Sequence, residues 1–95
     1  MSTVSQIAET SVPSLPRGVR LKHDETRDQW VLLAPERLFV LDAIALEIMK
    51  RCDGEVSVAG IIDDLAASFN APREVIAADV IRMLQDFADK GVLTA

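Results

Sequence analysis

The chain is 95 residues long, 49% hydrophobic and 26% charged, with a formal net charge of −5, which describes one globular domain and leaves no room for a second. At this size roughly 60 to 65% of the unfolded surface is hidden on folding, too little to wrap a large enclosed active site. One His and one Cys exclude a four-ligand zinc site and an intrachain disulfide, and four aromatics under a negative balance argue against a nucleic-acid surface.

Residues 1–18 lack the basic start and apolar core of a signal peptide, and no stretch of the chain approaches the roughly 20 apolar residues that span a bilayer, so no membrane role is expected. Their mixture of Ser, Thr and Gln with Pro13, Pro16 and Gly18 reads as a flexible arm or a linker from a preceding domain, with the folded domain at residues 19–95. The lone Cys52 fits a small buried hydrophobe in a reducing compartment, the cytoplasm.

Val19, Leu21 and His23 alternate with Arg20, Lys22 and Asp24, the period of a half-exposed strand. A polar turn over residues 24–28 leads to the β-branched and aromatic run Gln29 to Ala34, which predicts a second strand in a hairpin, with Trp30 as a packing residue. Pro35-Glu36 breaks that run, and Arg37 to Leu41 forms a third strand whose four consecutive apolar residues ask for cover on both faces.

Asp42 caps a helix from Ala43 to about Cys52, stapled by Leu41 and Leu46 and stopped by Gly54. Ser57 opens a second helix with Val58, Ile61, Ile62, Leu65 and Phe69 on one stripe. Asn70-Ala71-Pro72 closes it, and a third helix runs from Pro72 to about Lys90, ended by Gly91. The fold class is therefore α+β: a three-stranded antiparallel sheet followed by three helices, winged-helix-like.

On the third helix the apolar positions cover an arc of about 160°, wider than the stripe of about 100° that one packed face needs. Either the helical trio wraps this helix on two sides as ordinary core, or, together with an apolar third strand at a sheet edge, the spare width makes a groove into which an extended peptide can add as another strand. Such a groove needs no catalytic residue, resident cofactor or metal. His23 and Cys52 have no third group to orient them as a nucleophile and base.

Leu33-Ala34-Pro35-Glu36, Leu41-Asp42 at a helix start, Cys52-Asp53-Gly54, Ile61-Ile62 and the ending Asp86-Phe87-Ala88-Asp89-Lys90-Gly91 resemble the PqqD family, the peptide chaperones of pyrroloquinoline quinone biosynthesis and founders of the RiPP recognition elements. Asp42 stands where that family more often has Asn, and either residue caps a helix. The resemblance implies a non-enzymatic protein that binds the ribosomal precursor peptide PqqA as an added strand. It further implies docking on the radical SAM enzyme PqqE, which joins Glu and Tyr side chains of the peptide, and in some organisms fusion to the oxidase PqqC. Carried over by position, the peptide groove comprises Arg37, Leu38, Phe39, Val40 and Leu41, facing Ile76, Asp79, Val80, Arg82 and Met83. Arg73 and Arg82 are the candidates for pairing with an acidic peptide, or else for surface ion pairs with Asp79, Asp86 or Glu74.

Two other readings compete. A DNA-binding winged helix would read bases with the third helix, but Arg73, Arg82 and Lys90 are outnumbered there by Glu74, Asp79, Asp86 and Asp89. A structural dimerisation module would pair its free edge with a second copy.

Overall fold

A computed structural model describes residues 6–95. The element order is β1 (Arg20–Asp24), β2 (Gln29–Ala34), β3 (Arg37–Leu41), α1 (Ala43–Lys50), α2 (Val58–Phe69) and α3 (Arg73–Asp89). The strands form one antiparallel sheet in the order β1-β2-β3. This is the α+β arrangement read from the sequence.

Each junction has a local cause. In the β1–β2 turn the Asp24 carboxylate accepts from the Thr26 and Arg27 N–H groups at 3.1 and 3.4 Å. Pro35 and Glu36, the latter at φ 59°, make the two-residue turn that sets Ala34 opposite Arg37, with Pro supplying the fixed first φ and Glu36 the positive one. Asp42 and Ser57 cap α1 and α2, accepting from the Ala45 and Gly60 N–H groups. Asn70 ends α2 in the left-handed region, and Gly91, at φ 78°, lets the chain turn off α3 so that the Val92 N–H bonds the Phe87 carbonyl at 3.1 Å.

Two helix ends differ from expectation. Pro72 is the residue before α3, with an extended backbone (ψ 136°), so the helix begins at Arg73. Helix α1 stops at Lys50, several residues ahead of Gly54, whose work lies elsewhere: its N–H bonds the Pro13 carbonyl at 3.0 Å, and an added Cβ would sit 3.3 Å from the Ser14 Cβ. Glycine there permits a close approach of backbone.

That approach belongs to the segment expected to be a free arm. Residues 1–5 of the expected arm lie outside the described residues, but from Gln6 onward the segment packs on the domain. Ile7 is 5% exposed within the hydrophobic core and Pro13 is fully buried. The carbonyls of Ser11 and Glu9 accept from the Val58 and Ala59 N–H groups at 2.8 and 2.9 Å, satisfying donors that the start of α2 leaves without intrahelical partners. Ser14 pairs with Thr94 near the end of the chain. The polar composition of the segment reflects this capping role, which demands backbone groups rather than apolar side chains.

The core lies between the inner face of the sheet and the three helices, with Leu32, Ile48, Val58, Ile61, Ile62, Leu84 and Val92 at 0% exposure. Cys52 is buried there, its thiol donating to the Ile48 carbonyl at 3.3 Å. Trp30 lies against the His23 ring, centroids 5.1 Å apart, and is half-exposed rather than packed under a helix. Among the described residues no helix is long and apolar enough to cross a membrane.

Candidate peptide-binding groove

The β2–β3 ladder determines what β3 offers. A two-residue turn makes Ala34 and Arg37 a hydrogen-bonded pair, and such pairs alternate along an antiparallel ladder, so Phe39 bonds Leu32 and Leu41 bonds Trp30. The N–H and C=O groups of Leu38 and Val40 therefore point away from β2, to an edge that no strand covers among the described residues. The side chains alternate on the same parity: Phe39 turns inward, while Leu38 and Val40 stand on the outer face, more than half exposed.

Beside this edge a groove of about 440 Å³ is lined by Val40, Leu41, Asp42, Ala45, Arg82, Met83, Asp86 and Phe87. Phe87 meets Phe39 edge to face, centroids 5.8 Å apart, which joins α3 to β3 beneath the open edge. At one end Arg37 donates to the Lys90 carbonyl at 2.7 Å, tying the start of β3 to the end of α3. Both Arg37 and Lys90 stand 5.8 Å from the Phe39 ring centre, within cation–π range. Two cations thus flank the Phe39 ring beside the groove, Lys90 being paired with Asp86. At the other end are the Asp42 carboxylate, engaged in capping α1, and Arg82.

Of the residues carried over from the sequence, Val40, Leu41, Arg82 and Met83 come together in this groove. Arg37 and Phe39 are outside its lining, Phe39 packing behind it on Phe87 and Arg37 bonding the Lys90 carbonyl, while Leu38 contributes its backbone edge. Asp79 lies a turn away, 3.3 Å from Arg82. Ile76 and Val80 are placed in the core, 9% and 1% exposed, and present little surface to a ligand. Sequence reasoning missed Asp42, Ala45, Asp86 and Phe87; the apolar arc contained Phe87, but its position relative to β3 is set by packing between elements far apart in sequence.

The two arginines expected to meet a peptide have separate fates. Arg73 is held by Glu9 at 2.7 Å and Asp63 at 2.5 Å. The Arg73 hydrogen bonds keep the Glu9 carboxyl below its ordinary range, and the two carboxylates raise the Arg73 guanidinium. Arg82, whose side chain is 80% exposed, has one ion pair among the described residues and is free to turn to a ligand.

An open-edged sheet backed by a helical groove, in an order of three strands then three helices, defines a small winged-helix-like α+β domain with one uncovered strand edge among the described residues. Residues 29–93 match the family model described as Coenzyme PQQ synthesis protein D (PqqD). A "PqqA binding protein" of Bradyrhizobium diazoefficiens is 57% identical over 93% of this chain and 85% of its own, and one of Gluconobacter oxydans is 48% identical over 92% and 91%. Among solved structures, the PqqD truncation of Methylobacterium extorquens PqqCD, described as a functional and stand-alone RiPP recognition element, superposes with a TM-score of 0.81 at 44% identity, covering 94% of this chain and 95% of that one. PqqD from Xanthomonas campestris is 49% identical, covers 90% and 94%, and gives a TM-score of 0.57. The chain belongs to the PqqD family.

Proposed function

We propose that this protein is a peptide chaperone that binds the precursor peptide PqqA as a fourth strand along β3 and presents it to the radical SAM enzyme PqqE. The observation that carries the reading is the outward set of backbone groups on Leu38 and Val40, poised over a groove walled by Met83 and Phe87. An added strand draws affinity from these main-chain groups and selectivity from the apolar wall, and Arg82 receives acidic peptide side chains by forked pairing. The naming of the relatives as PqqA binding proteins supports the choice of peptide. The M. extorquens PqqCD relative supports the expectation that such domains also work fused to PqqC. The protein itself performs no reaction in this reading; the chemistry is the enzyme's. Action in the cytoplasm, where precursor peptides are made, completes the proposal.

The two proline variants that differ by one position test strand addition. Proline at an edge is tolerated where its missing N–H faces outward, so Val40→Pro is expected to keep the fold and lower PqqA affinity by about tenfold, or about 1.4 kcal/mol. Phe39→Pro removes a donor from the β2–β3 ladder and is expected to lower stability first. Affinity measured by calorimetry and stability by urea unfolding separate the two, and a folded Val40→Pro with wild-type affinity rejects pairing at this edge.

A further inference from the structure

On the sheet's outward face, cross-strand register builds two rows: Arg20, Leu33 and Leu38, then Lys22, Val31 and Val40. Leu38 and Val40 are 56% and 60% exposed, although their alternation with Phe39 and Leu41 shows that the inner face already has its core. Along β1 the apolar strip is bordered by exposed Arg20 and Lys22. All five cations of residues 43–95 are ion-paired, whereas neither Arg20 nor Lys22 has an ion pair among the described residues. Two acids, Asp24 and Glu25, line the cavity at the turn end of this face beside Lys22, and the Asp24 carboxylate is spent on the turn. A chain of net charge −5 thus keeps one apolar face edged by unpaired positive charge.

We propose that this outward face is the docking surface for the enzyme that modifies the held peptide, and that the enzyme's matching surface sets carboxylates beside an apolar patch. The inference rests on strand addition to β3. Side chains of an added strand alternate between its faces, so half of them stand beside Leu38 and Val40 and widen the same apolar strip. Only the loaded chaperone then presents the full surface, which gives the enzyme a means of telling loaded from empty. A second copy of this chain is a poor match. Packed face to face about a two-fold axis, it sets the Arg20 and Lys22 rail either against its own twin or against the apolar strip, and neither supplies carboxylates.

The Arg20→Glu/Lys22→Glu double variant tests the surface, because both residues lie on β1, across the sheet from the peptide edge. Purified PqqE is titrated against PqqA-loaded wild-type and variant protein, with PqqA affinity measured in parallel. The expected result is PqqA affinity within about twofold of wild type, PqqE affinity at least about tenfold weaker, and a flatter dependence of PqqE binding on salt. Equal PqqE affinity for both proteins overturns the surface while leaving presentation intact. Loaded wild-type protein that fails to bind PqqE overturns presentation, and this inference with it. Concentration-dependent dimerisation abolished by the variant, with PqqE binding unchanged, assigns the face to self-association and overturns the proposal. Should the double variant lose its amide spectrum, Lys22→Gln replaces it, with an expected weakening of about threefold and the same overturning results.

Discussion

Along α3, Ile81 and Gln85 lie beside the N-terminal segment, whereas Met83 and Phe87, a short way round the helix, line the groove against β3. The first flank is partly covered by the chain itself: Ile7 enters the core, its N–H bonds Gln85 at 2.7 Å, and Glu9 reaches Arg73, with a cavity of about 520 Å³ left between this segment and α3. The second has no covering segment among the described residues. Apolar width on a helix thus has two uses in one small domain, and what separates them is whether the chain supplies a segment to cover it. A domain of this size has few contacts to spare, so the covered flank serves stability, and the open one serves recognition in the function proposed above.

Truncating the closing residue tests that division most severely. Ile7→Ala is expected to cost about 2 kcal/mol of unfolding free energy in urea while leaving PqqA affinity within about twofold. Parallel loss of affinity would join the two flanks into one unit. Met83→Ala is the converse: PqqA affinity about fivefold weaker, with stability reduced by less than about 1 kcal/mol. A variant that unfolds early yet binds normally would place Met83 with the core.

The smallest effect is electrostatic and belongs to the covered flank. Because Arg73 holds the Glu9 carboxyl below its ordinary value of 4.5, the charged form favours the folded state. Its contribution is present above that value and is lost as pH falls through the lowered one. Glu9→Gln should therefore narrow the stability difference between neutral and acid solution, with the two proteins converging at low pH. Identical pH profiles would show that the pair adds nothing to closure.

Much of this was legible in the chain. The limits of β2 and β3, the caps Asp42 and Ser57, and the stops at Asn70 and Gly91 follow from local rules acting within a few residues. The N-terminal segment was misread because its contribution is made by the carbonyls of Glu9 and Ser11, which every sequence possesses, and by one isolated apolar residue, Ile7. Gly54 was misassigned for the same reason, since the Ser14 backbone beside it arrives from 40 positions away. Val40 and Met83, singled out by resemblance, line the groove beside β3. Val80 and Ile76 share their helix but face the core, a rotation that the arc alone leaves undetermined. The parity of β3 required the pairing of Ala34 with Arg37, and it moves the informative backbone position from Phe39 to its neighbours.

The buried thiol of Cys52 has a practical consequence. Burial pushes its pKa to about 12, and its Sγ–H is given to the Ile48 carbonyl. Almost no thiolate forms at neutral pH, so the folded protein is inert towards disulfides and alkylating reagents. Each molecule carries one latent reactive group that appears only on opening. The rate at which a maleimide or disulfide reagent labels it is a clock for transient unfolding, readable in dilute solution without denaturant. Ile7→Ala should make that clock run faster, and a peptide that occupies β3 should slow it.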